Sequence, residues 1–237
     1  MVRFILSLLL SVPLLSFGQQ TNYNLTPDHN DTLKSFLIRK QPLFLYSQHL
    51  NHKHASHWNK IKRGSVYVAG YDLAVGLLLL AVPENVSKWD KKEKLSIDAE
   101  LKQYSRSFTT APEIDKDLFA VNYLGHPYQG SFYYNSIRSQ GATVIQSTLF
   151  SLAHSVLWEY LVEGGTEQPS IQDLMITPIA GSLLGELTHV LTIKMSKNGF
   201  LWYEAVIVYL INPAYVLNNG IKVKRNRNTY YDVDFDF

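Results

Sequence analysis

Glu186-Leu187-Thr188-His189 sets a carboxylate and an imidazole three residues apart, on one face of any helix that contains them. Carboxylate-bridged di-metal bundles use that spacing twice, with further glutamates from two other helices. Here the spacing occurs once. Glu159 and Glu163 would have to supply the remaining oxygens, which makes Glu186 and His189 the candidate metal ligands. His126, between Gly125 and Pro127, is the candidate general base, oriented by Glu159 or Asp173. His126, Glu159, Glu163 and Glu186 together form the catalytic set that a hydrolase or transferase would use. No serine stands in a GxSxG elbow, which argues against acyl-serine chemistry. His49, His52 and His57 would fall within about 140° of one another on a helix, so they are compatible with a metal site or with a solvated face.

Each of these groups also has a structural reading. Ser170 at a helix entry, with Asp173 three residues on, is a capping box. Glutamates buried beside Tyr, Trp or His can fix the register between helices without doing chemistry. An enzyme should gather His126 and the glutamates around an open pocket. A structural network should close over them.

The elements that would carry these residues are apolar segments of helical length at 66–82, 141–163, 171–195 and 200–217. Ser147, Ser151, Ser155, Glu159 and Glu163 recur every four residues on the second. Thr177, Gly181, Gly185 and His189 do so on the third. Small residues at that spacing let two backbones approach closely. Glycine costs about 1 kcal/mol in a helix interior, so Gly181 and Gly185 imply tight packing. The expectation is an antiparallel hairpin of 141–163 on 171–195 burying a narrow polar seam, with 66–82 and 200–217 against it. His126-Pro127 reads as a loop entering a helix.

Lipid insertion of these segments is balanced in sequence terms. Nine Val, Ile, Leu and Phe residues in 142–162 contribute roughly −3 to −5 kcal/mol, which Glu159 and His154 offset. Asp72, Asp173, Glu186, His189 and Glu204 do the same elsewhere.

Residues 1–18 have the form of a secretory signal: Arg3, an apolar run from Phe4 to Leu15, and small residues at Ser16 and Gly18. The mature chain is expected to begin near Gln19, with a polar leader over 19–34 and a helical domain over 35–221. Within it, 84–120 is a charged connector. The tail, 222–237, is basic and then alternates aromatic or Val residues with Asp. That alternation suits a strand, either packed on the bundle or serving as an outer-membrane signal. The 237 residues include no cysteine, so disulfides and thiolate chemistry are excluded. A net charge of +2 gives no electrostatic case for nucleic acid.

Three stretches carry a resemblance. They are Asn122-Tyr123-Leu124-Gly125-His126-Pro127-Tyr128-Gln129-Gly130 with Tyr133-Tyr134-Asn135, then Trp158-Glu159-Tyr160 with Glu163, then Pro169-Ser170-Ile171-Gln172-Asp173-Leu174 running into Thr177-Pro178 and 181–186. Over 122–193 the chain resembles the bacterial envelope family filed as domain-of-unknown-function family 3943. The resemblance implies an exported protein of a Gram-negative bacterium and no established activity.

The combined expectation is a mainly α protein, a helical bundle built on an antiparallel hairpin with a short C-terminal strand-like tail. It would be an exported cell-envelope protein, membrane-associated and structural or part of an assembly, located in the periplasm or an envelope membrane. Its partners would be membrane lipid or another envelope protein. The alternative is a membrane-proximal hydrolase or transferase acting on lipid or glycan. The sequence names no cofactor.

Overall fold

A computed structural model describes residues 55–84, 96–114, 117–197, 199–226 and 229–233. The expected signal segment, the leader, His49, His52, His54 and the last four residues lie outside the described residues. In chain order the helices are α1 (His57–Ala81), α2 (Ile97–Thr109), α3 (His126–Arg138), α4 (Val144–Leu157), α5 (Ile171–Ser196), α6 (Trp202–Ile211) and α7 (Pro213–Asn219). Two π-helical stretches adjoin them: Val121–Gly125 leads into α3 and Trp158–Glu163 continues α4. A hairpin of β1 (Ile221–Asn226) and β2 (Thr229–Val233) follows, antiparallel, with Val223 opposite Tyr231. The chain is therefore mainly α, as expected, with a two-stranded tail.

Local chemistry accounts for the helix starts. The Ser56 hydroxyl accepts from Asn59 N–H at 3.2 Å, and Thr143 with Gln146 forms a reciprocal capping box for α4. Ser170 caps α5 by accepting from Asp173 N–H at 3.1 Å. Asn212-Pro213 divides the expected 200–217 segment in two. Pro213 opens α7 at a position where its missing N–H costs nothing, and Asn212 caps that helix.

The middle of the bundle is α3, buried along its whole length from Gln129 to Arg138. Its closest neighbour is α5, which runs parallel to it: Gly130 meets Thr177 and Gly181, and Tyr134 meets Gly185. A Cβ on Gly181 would lie 2.5 Å from the Cα of Gly130, and one on Gly185 would lie 2.7 Å from the Tyr134 ring. The two backbones are in direct contact at this crossing. The glycines were expected to face 141–163, and their actual partner is α3. α4 does pack antiparallel on α5, through Ser155, whose hydroxyl reaches Asp173 O at 3.4 Å, while Ser151 bonds Gly130 O at 3.1 Å. The serine stripe is buried as its spacing requires.

Two apolar clusters flank this polar middle. Val68, Phe132, Tyr133, Ile137, Ala142 and Phe150 join α1, α3 and α4, with Ala214 of α7. Ile193, Phe200, Ala205, Val208, Tyr215 and Ile221 join the end of α5 to α6, α7 and β1. Asp72, inside α1, accepts from the Tyr133 hydroxyl at 2.6 Å.

The outward faces of α4, α5 and α6 are rich in exposed apolar residues. On α5, Ile171, Met175, Ile179, Leu183, Leu187 and Leu191 form an i+4 stripe, each between 42% and 73% exposed. On α4 the outward residues include Ile145, Leu149, Leu152 and Val156. On α6 they include Trp202, Val206, Ile207 and Leu210. α1 and α5 are each long and apolar enough to cross a membrane.

Candidate functional site

His126, Glu159 and Asp173 meet at one end of the bundle. One ligand-capable atom from each lies within 4.8 Å of the other two, and the residues are 5%, 2% and 2% exposed. Three elements deliver them. The first π-helical stretch hands the chain to α3 at His126, the second carries Glu159 in its first turn, and Asp173 stands in the first turn of α5. π-helical turns concentrate at functional positions because the wider turn re-aims one side chain. Here both of them border the same cluster.

The imidazole is oriented from behind. His126 Nδ1 lies 3.0 Å from the Thr177 hydroxyl, and Nε2 faces Asp173 Oδ1 at 3.5 Å. Glu159 is fixed by the N–H of Ser170, which donates to Oε2 at 2.8 Å. This bond changes the reading of the cap. Ser170 and Asp173 were expected to form both halves of a capping box. Only the Ser170 half is made, and the Ser170 N–H is satisfied by Glu159 from the preceding helix. The Asp173 carboxylate is directed at His126 instead.

More acid gathers beside this cluster. Glu163 is half-buried, and burial pushes its carboxyl well above the usual carboxylate range. Glu159, Glu167, Asp117 and Asp173 push it further in the same direction by like-charge repulsion. α2 covers this end: the Tyr104 hydroxyl bonds Leu161 O at 2.7 Å, and Ser107 bonds Gly164 O at 2.8 Å.

Glu186 lies elsewhere. Arg138 grips it in a two-point pair, Nε to Oε2 at 2.8 Å and Nη2 to Oε1 at 3.0 Å, and the Tyr134 hydroxyl adds a bond at 2.6 Å. Such a planar fork is the strongest ion-pair geometry a carboxylate finds in a protein. His189 is 2% exposed, and neither of its ring nitrogens has a hydrogen-bond partner among the described residues. Among the described residues the one group of three or more convergent metal-capable side chains is His126, Glu159 and Asp173, so Glu186 and His189 do not belong to it. Of the expected catalytic set the structure joins His126 to Glu159, places Glu163 beside them, and sets Glu186 apart. Thr177, Arg138 and Tyr134 were not singled out as partners. Thr177 stood on the small-residue stripe and Tyr134 in a family-like stretch, but neither spacing pointed to the partner that each one bonds.

Residues 111–214 match the family model of DUF3943, a domain of unknown function. The match takes in the expected 122–193 and extends beyond it at both ends. No curated protein and no solved structure matches the chain. The matched segment contains the three converging residues, both π-helical stretches, the glycine crossing and the Arg138–Glu186 pair. α1 and the β-hairpin lie outside it.

Proposed function

We propose that this protein is an exported component of a Gram-negative cell envelope, seated in a lipid membrane, where it serves as a structural or assembly element. One observation carries the reading: the middle of the bundle is polar, and the outward faces of α4, α5 and α6 are apolar. α5 turns Asp173, Thr177, His189 and Thr192 inward and a stripe of Ile, Met and Leu outward. That stripe runs from Ile171 to Leu191, about 30 Å at 1.5 Å per residue, which equals the thickness of a bilayer's hydrocarbon core. In water an exposed band of this size would be a standing liability. In lipid it gains roughly −0.3 to −0.6 kcal/mol for each Leu or Ile. Of the ionisable groups that made insertion look balanced in sequence, Glu159, Asp173 and His189 are buried, and Asp72 and Glu186 are bonded to Tyr133 and Arg138, as intramembrane charges are paired. The signal-like residues 1–18 support export.

The closed setting of His126, Glu159 and Asp173 favours a structural role over turnover. The convergence of His126 on Glu159 is the observation that favours the second reading, a hydrolase or transferase acting on lipid or glycan. The test is fractionation of cells producing the tagged full chain. The protein should sediment with envelopes, resist alkaline carbonate and dissolve in detergent, with Gln19 at or near its N-terminus. Release by carbonate would overturn membrane embedding. Recovery of a chain beginning at Met1 would overturn cleavage near Gly18.

A further inference from the structure

We infer that His126, Glu159 and Asp173 bind one divalent transition-metal ion, which clamps three helix ends together. The inference rests on side-chain geometry and stands independently of the membrane reading. Two donors on a common ion, each bonded at about 2.0–2.2 Å, are separated by roughly 3.0–3.5 Å for angles near 90–110°. His126 Nε2 and Asp173 Oδ1 are 3.5 Å apart, long for a hydrogen bond and suited to two ligands of one ion. A carboxylate oxygen of Glu159 lies within 4.8 Å of both other donors, so a bound ion would draw it closer to complete the triangle.

The outer contacts match those of a metal site. A ligating imidazole ordinarily donates its second N–H to a fixed acceptor, which sets the tautomer. The Thr177 hydroxyl stands at 3.0 Å from Nδ1 and would play that part, leaving Nε2 to bind. A ligating carboxylate is ordinarily hydrogen-bonded as well, and Ser170 N–H holds Glu159 through Oε2. One imidazole with two carboxylates selects the Zn²⁺, Mn²⁺ and Fe²⁺ class over Ca²⁺ or Mg²⁺, which take oxygen ligands. A dication balances two ionised carboxylates, and buried charges persist where they are paired or coordinate a metal. The three ligands belong to α3, the π-helical continuation of α4, and α5. The ion would tie together the three helices that enclose the polar middle. Because the site is closed, the ion should exchange slowly, over hours in a titration.

The experiment uses the detergent-purified full chain, stripped with chelator and titrated with Zn²⁺, and separately with Co²⁺ for its visible ligand-field bands. Wild type should take up one Zn²⁺ per chain, unfold at a higher temperature with the ion, and show Co²⁺ bands that added Zn²⁺ removes. Asp173→Asn should abolish the bands and weaken Zn²⁺ binding at least tenfold. Thr177→Val keeps the shape and all three ligands, and should weaken binding about 10–100-fold, as loss of an outer-shell partner does. Glu186→Gln, away from the site, should bind as wild type does. Absence of stoichiometric uptake by wild type overturns the inference, as does equal affinity in wild type and Asp173→Asn. If Asp173→Asn does not fold, Thr177→Val decides by the same criterion.

Discussion

Glu159 does at residue scale what the sequence assigned to Asp173. It satisfies the amide of Ser170, an orphan donor at the start of α5, across a gap of eleven residues. Capping partners are read locally, three residues apart, so a carboxylate arriving from the preceding helix leaves no signature. Glu159→Gln retains an oxygen for that amide and should cost about 1–2 kcal/mol when unfolding is followed with chelator present. Glu159→Leu strands the amide and should cost more. Equal stability of the two variants would remove the cap from Glu159's role. Arg138 and Glu186 allow a second test of paired groups. Arg138→Met leaves Glu186 with only the Tyr134 hydroxyl of the three hydrogen bonds described, and should destabilise by about 1–3 kcal/mol, as loss of a charged partner at a part-buried site does. Adding Glu186→Gln should recover part of that loss. A double-mutant cycle with no coupling would show the pair to be incidental.

At the scale of elements, the glycine crossing makes opposite predictions for two glycines. Gly70 of α1 has open space where a Cβ would go, so Gly70→Ala should gain up to about 1 kcal/mol of helix propensity. Gly181→Ala drives a methyl group into the backbone of Gly130 and should instead lose stability, as should Gly185→Leu against Tyr134. Thermal unfolding of the three in one detergent checks the contrast, and a neutral Gly181→Ala would mean the helices can part without cost. The small-residue spacing that marks α5 was legible because it is periodic. The partner helix was not. α3 is buried on every side, so it lacks the one-faced pattern by which helices are recognised, and Gln129, Tyr133, Tyr134, Asn135 and Arg138 disguise burial as polarity. The π-helical turns that aim His126 and Glu159 were illegible for a related reason: they follow from how neighbouring helices pack and have no composition of their own.

For the whole molecule, the sum of apolar and charged residues left lipid and water evenly matched, and the direction in which the side chains point is what supports the proposed membrane seat. The same side chains count differently once Asp173 and Glu186 are known to point in and Leu183 and Leu187 out. Diluting detergent below its micelle concentration should therefore drive the protein into aggregates, while transfer to lipid nanodiscs should keep it monodisperse by size-exclusion chromatography. A monodisperse species in plain buffer would count against the lipid-facing belt. The buried state of α3 also bears on biogenesis. At 13 residues it is about 20 Å long, too short to cross a bilayer, and its polar side chains forbid lipid contact. The chain emerges with α3 ahead of α5, yet the backbone of α3 rests on α5 at Gly181. If the bundle is seated in lipid as proposed, α3 would have to wait outside the hydrocarbon until α5 exists, and the two would enter together. On the proposed membrane reading, insertion of this bundle would not proceed one helix at a time from the N-terminus; its central helix would be the guest of a later one.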